Sequence, residues 1–246
     1  MFSGLYPQSG VIDDLLGLVM GSERAATRRP WVMINMVVSI DGATAVQGRS
    51  TGLGDEDDLA MFKALRAVPD VILVGAGTVR AEDYGPIRLD DERLERRRAI
   101  GKEDLPRLAV VTGRLDLDPE ARLFSRADSP PIILTGPAAD PDRRRALEPL
   151  AEVIVLDDLS VEAVVGHLGQ ADVILCEGGP GLNTQLASAG MIDEVNLTVA
   201  PVVVGGVSKR IVQGPAVDPP LDMDLDRILA GDRSLFFRYL RHTGPE

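Results

Sequence analysis

The sequence predicts an α/β fold: a mostly parallel central sheet flanked by helices, with an antiparallel C-terminal edge. Three observations carry that prediction. Short runs rich in Val, Ile and Leu recur along the chain, apolar on both sides as strands buried on both faces are. Longer segments of mixed polarity separate them, long enough for crossover helices. The final stretch, 233–241, alternates and is followed by no crossover helix, so it pairs antiparallel with 224–229.

From the N-terminus, residues 1–29 read as an arm with one short amphipathic helix within 11–20, and 30–246 as a single domain. Asp13 and Asp14 before a short apolar run are unlike the basic start and long apolar core of a signal peptide. Strands are expected at 31–37, 71–74, 108–111, 132–134, 153–155, 173–175 and 195–199. Helices are expected at 55–67, 142–150, 160–168 and 182–189, each opening on polar or small residues that satisfy free N–H groups. Ser160 is the expected cap of the third, through Ala163. The polar stretch 88–106, with Arg96, Arg97 and Arg98 in a row, reads as a surface excursion with a solvated arginine face. So does the Pro- and Asp-rich 212–225, and the apolar 195–204 is the expected edge for a dimer contact.

A chain of 246 residues is long enough for one large domain with a ligand cleft. Its formal charge of -12 argues against binding nucleic acid or an anionic membrane, either of which needs a basic face. Cys176 is the single cysteine and His167 and His242 are the two histidines, which excludes an intrachain disulfide and the usual Cys/His zinc site, so no metal is expected. No apolar run approaches the length of a membrane span, and a cytoplasmic location is expected.

The strongest local signal is Cys176-Glu177-Gly178-Gly179-Pro180-Gly181, where a buried strand runs into glycines and then a helix. Glycines let the backbone approach a phosphate, and the first N–H groups of the helix attract an anion. A turn built for sterics alone would share the pattern. A second signal, Val74-Gly75-Ala76-Gly77-Thr78, starts like a dinucleotide fingerprint, but Arg80 takes the third glycine position. A third, Ser39-Ile40-Asp41-Gly42, ends a strand with a carboxylate that either relays a proton or bonds nearby N–H groups.

Taken in order, Val38-Ser39-Ile40-Asp41-Gly42, Leu65-Arg66-Ala67, Val74-Gly75-Ala76-Gly77-Thr78-Val79, Glu177-Gly178-Gly179-Pro180 and Ile192-Asp193-Glu194-Val195, followed by Ala200-Pro201, resemble the reductase domain of bacterial riboflavin biosynthesis enzymes. The resemblance covers 30–241. It implies a dihydrofolate-reductase-like fold, a homodimer, and NADPH-dependent reduction of the ribose of 5-amino-6-(5-phosphoribosylamino)uracil. By that resemblance Thr78 and Glu82 contact the cofactor, and Gly178, Gly179, Pro180, Gly181, Leu182 and Asn183 hold its pyrophosphate and nicotinamide side. Thr112, Gly113 and Arg114 suit the 2′-phosphate. Glu177 and Ser50 face the substrate, and Arg66 and Arg88 would converge on its phosphate. Asp41 and Glu177 are the candidate catalytic groups.

The chain departs from the family pattern in two ways. The zinc deaminase signature of the bifunctional enzymes is missing. Tyr84-Gly85-Pro86-Ile87-Arg88 also replaces the segment whose arginine helps bind ribose phosphate, leaving Arg88 out of register. Reduction of a pterin or dihydrofolate, with Asp41 or Glu177 on the ring's amidine edge, therefore stays open, as does a non-catalytic NADPH-binding module.

Overall fold

The computed structural model describes residues 1–25, 27–125 and 129–244; the remaining positions of the expected arm and domain lie outside the described residues. In chain order it builds β1 (Phe2–Tyr6), β2 (Gly10–Ile12), α1 (Leu15–Met20), β3 (Trp31–Ser39), α2 (Glu56–Arg66), β4 (Val71–Gly75), α3 (Ala76–Ala81), α4 (Asp91–Ala99) and β5 (Arg107–Val111). There follow β6 (Ile132–Thr135), α5 (Pro141–Leu147), β7 (Glu152–Val155), α6 (Val161–His167), β8 (Val173–Cys176), α7 (Pro180–Ser188), β9 (Glu194–Ala200), β10 (Met223–Ala230) and β11 (Leu235–Arg241). A 3-10 turn spans Ser50–Gly52.

One 11-stranded sheet runs in the order β2-β1-β10-β11-β9-β3-β8-β4-β5-β6-β7. From β9 to β7 every neighbouring pair is parallel. From β9 outward through β11, β10, β1 and β2 every pair is antiparallel. All the parallel strands expected from the sequence form, and so does the C-terminal hairpin.

Alternation along the central strands divides the core between the two faces. Met33, Ile72, Val74 and Leu175 pack with α1 and α2 on one side, while Val32, Ile34, Leu73 and Ile174 pack with α6 and α7 on the other. Helix starts follow their caps. Asp55 accepts from Asp58 N–H at 2.8 Å and Ser160 from Ala163 N–H at 3.2 Å, the latter as the sequence predicts.

Three sequence expectations change here. The N-terminal arm does contain a helix, but its first residues also add two strands to the sheet, β1 pairing with β10. Those strands are short and lack a clear alternating pattern, so only the free edge of β10 gives them a role. The 195–204 segment is not an edge: β9 lies between β11 and β3. The arginine run 96–98 lies on α4, yet Arg97 is fully buried. Its guanidinium donates to the carbonyls of Ala67, Pro69 and Glu103 at 2.7–3.0 Å, satisfying two backbone acceptors just past the end of α2 and one past the end of α4.

Candidate active site

Ligands of open parallel sheets bind where the carboxyl ends of the strands leave a crevice. Here the ends of β3, β4, β5 and β8 open into a cleft of about 1000 Å³. Its floor is the glycine turn. Gly178 and Gly179 have φ of 97° and 91°, a region that side chains with a Cβ rarely adopt. The turn is stitched to β4, because Gly75 N–H donates to Gly178 O and Glu177 N–H to Leu73 O, both at 3.0 Å. Pro180 opens α7, and no side chain caps that helix. The N–H groups of its first turn are therefore available to a ligand.

Glu177 crosses the cleft to α2. Its two oxygens accept from Arg66 Nε and Nη2, both at 2.7 Å, a bidentate pair. Arg66 Nη2 also donates to the Tyr84 hydroxyl at 2.8 Å, and its guanidinium lies 4.1 Å over the Phe62 ring. Asp58, Phe62 and Arg66 all line the cleft. They are spaced four residues apart, so successive turns of α2 present one stripe to it. Burial raises the Asp58 carboxyl above its ordinary range, partly offset by a hydrogen bond from Thr198.

Most expected site residues meet in this cleft. Ser50, Arg66, Thr78, Glu82, Thr112, Gly113, Arg114, Glu177, Gly178, Gly179, Pro180, Gly181 and Leu182 line it. The Glu82 carboxylate accepts Ser50 N–H at 2.8 Å, closing one wall. Thr78 Oγ1 lies 3.6 Å from where a Cβ on Gly179 would stand, so α3 faces the turn closely.

Three do not. Asn183 is fully buried, its amide donating to Ile211 O at 2.8 Å, since position 183 falls on the inward face of α7. Asp41 is absent from the cleft lining. Its carboxylate accepts from the Ser39 hydroxyl at 2.5 Å and from Val204 and Gly205 N–H at 3.1 and 2.7 Å. Those bonds, the Ser39 one foremost, hold its pKa down at about 2, so it carries no proton to deliver near neutrality. Arg88 is exposed and does not line the cleft, although Gly85 and Pro86 do, and Ile87 beside it turns into the core.

Sequence reasoning missed Tyr84, Phe62, Asp58 and Lys209. The helical stripe 58–62–66 was a signal that could have found two of them. Tyr84 had read as a break in the family pattern, and its hydroxyl instead steadies Arg66. Cys176 is buried next to the turn, and burial pushes its thiol up to about 12, so it is an inert packed group. Among the described residues no group of three His, Cys, Asp or Glu is arranged to hold a metal ion, and no helix is long and apolar enough to cross a membrane.

Known proteins resemble the chain over most of its length. The family described as RibD C-terminal domain matches residues 30–237. The 2,5-diamino-6-ribosylamino-4(3H)-pyrimidinone 5′-phosphate reductase of Methanothermobacter thermautotrophicus is 32% identical, the match covering 79% of this chain and 88% of that protein. A pyrimidine reductase-like protein from Corynebacterium diphtheriae superposes with a TM-score of 0.81 at 28% identity, covering 94% of this chain and 99% of the other. Dihydrofolate reductase from Enterococcus faecalis shares the fold, with a TM-score of 0.51 at 12% identity over 87% of this chain and 97% of that one.

Proposed function

The chain belongs to the RibD C-terminal domain family, and from that premise we propose that it is an NADPH-dependent reductase of a ribosylamino-pyrimidine 5′-phosphate in riboflavin biosynthesis. The observation that carries the reading is one cleft holding both an uncapped glycine turn and, beside it, the Glu177–Arg66–Tyr84 cluster. The turn fits a dinucleotide. Its two glycines take left-handed φ, and α7 offers N–H donors that no side chain satisfies, which is the donor set a pyrophosphate needs.

When bound, NADPH supplies the hydride. The residues of the chain hold the electrophilic ribose carbon against it and keep water out. Glu177, fixed by Arg66, offers acceptor lone pairs to substrate N–H and O–H groups. Asp58 holds its proton to a higher pH than an ordinary carboxyl and is the group suited to supply the proton that accompanies hydride transfer. Thr112, Gly113 and Arg114 select the 2′-phosphate, and the enzyme works as a cytoplasmic homodimer.

The test is NADPH oxidation with 2,5-diamino-6-ribosylamino-4(3H)-pyrimidinone 5′-phosphate and with 5-amino-6-(5-phosphoribosylamino)uracil, tried separately. Turnover of either, with a ribityl product by mass spectrometry, is expected. Oxidation by neither would sink the reading. Asp58 also favours a second reading, because a half-buried carboxyl on α2 that lines the cleft can meet the amidine edge of a pterin. Turnover of dihydrofolate but not of the pyrimidines would select it, and cofactor binding without any turnover would select a binding module.

A further inference from the structure

Lys209 lies on the segment that follows β9, and side chains pin that segment along the cleft. Asp41 takes the N–H groups of Val204 and Gly205. Thr44 N–H donates to Ser208 Oγ at 3.2 Å, and the Thr44 hydroxyl donates to the Lys209 carbonyl at 3.0 Å. Farther on, Asn183 donates to Ile211 O and Thr184 Oγ1 accepts from Gln213 N–H, both at 2.8 Å. Asn183 and Thr184 belong to the opening turns of α7. The segment therefore runs beside the opening turns of that helix, and the exposed Lys209 two residues before Ile211 lines the same cleft.

Charge accounting singles out the same residue. Of the cleft cations, Arg66, Arg80 and Arg122 are each paired with a carboxylate. Arg114 and Lys209 have no ion-pair partner among the described residues. They come from different elements: Arg114 follows β5, and Lys209 lies on the segment after β9 that is held against Thr44. No basic side chain occurs from Glu177 to Gln185, so the glycine turn between them offers only backbone dipoles to a dianionic pyrophosphate.

Resting on the NADPH reading above, we propose that Lys209 is the counter-cation of the cofactor's pyrophosphate, completing the glycine turn, while Arg114 answers the 2′-phosphate. The pyrophosphate is common to NADPH and NADH and the 2′-phosphate is not, so the two roles separate cleanly.

The experiment titrates NADPH and NADH, by fluorescence, into the wild-type protein, Lys209→Met and Arg114→Met. Lys209→Met is expected to weaken both dinucleotides by a common factor of about tenfold, or ~1.4 kcal/mol, and to flatten the salt dependence of both. Arg114→Met should weaken NADPH alone. Thermal melts check that the variants fold; the pins on this segment use the Lys209 backbone, so Lys209→Met should melt with the wild type. If Lys209→Met binds both dinucleotides as the wild type does, or loses NADPH only, the assignment of Lys209 is overturned while the reductase reading stands. A wild-type protein that binds neither dinucleotide overturns both.

Discussion

Glu177 and Glu194 each meet arginine, with 4% and 0% of the side chain exposed, and their surroundings use the same chemistry to opposite ends. A carboxylate has about four lone-pair sites. At Glu194 they are filled: Oε1 accepts from Arg24 Nη2 and Asn196 Nδ2, and Oε2 from Trp31 Nε1 and Arg238 Nη2, at 2.9–3.2 Å. Burial alone would push its pKa up, but Arg24 and Arg238 outweigh that and hold it at about 2. At Glu177 only Arg66 donates, once to each oxygen, and the remaining capacity faces a cleft. A saturated carboxylate is a structural bolt between the N-terminal arm and the antiparallel strands. A half-saturated one keeps acceptor capacity that a ligand in the cleft could use.

The contrast is open to breaking, most severely at the bolt. Glu194→Leu strands two buried guanidinium groups and should cost about 3–5 kcal/mol, read as a lowered Tm, with turnover per folded molecule little changed; an unaltered Tm would refute the structural role. The reverse pattern is expected across the sheet. Glu177→Gln should lower kcat/KM by about 100-fold, or ~2.7 kcal/mol of transition-state stabilisation, while Tm falls less than in Glu194→Leu because Gln keeps one acceptor for Arg66; full activity would deny Glu177 its place at the substrate. Asp58→Asn should cost about tenfold in kcat. Because its folded pKa is raised, the wild-type rate should also fall as pH rises through that value, a limb the variant lacks. A pH limb that persists in Asp58→Asn would assign the proton elsewhere.

The smallest effect is expected at Asp41. Its folded pKa, about 2, is depressed from 3.8, so the stability it contributes is present above pH 3.8 and is lost as pH falls toward 2. Asp41→Asn should lower Tm slightly near neutrality and progressively less as pH falls through 2. The same sign holds for Glu194, depressed from 4.5 to about 2, whose larger contribution should dominate acid unfolding below pH 4.5. If Glu194→Leu leaves the acid limb unchanged, another carboxylate governs it.

The parallel strands and the C-terminal hairpin were legible in the sequence because burial on both faces leaves a continuous apolar run and burial on one face leaves alternation. The glycine turn was legible for the same local reason: left-handed backbone at Gly178 and Gly179 requires the residue type that the sequence displays. Asp41 was read as catalytic and Asn183 as cofactor-binding because a motif lists residues without saying which way they face. Position 183 falls on the inner side of α7, and Asp41 spends its lone pairs on a loop 163 residues away in the chain. Arg88 likewise does not line the cleft, its neighbour Ile87 taking the inward direction.

The sequence by itself determined the sheet, its parallel and antiparallel parts, and the phosphate-like turn, all of which follow from periodicity and backbone conformation over a few residues. Only the tertiary structure decided that Arg66 answers Glu177 across 111 positions, that Asp58 sits half-buried above the same cleft, and that the N-terminal strands close the edge at β10. Those are pairings between distant segments, and pairing energies depend on which groups end up a few ångströms apart after the core has packed.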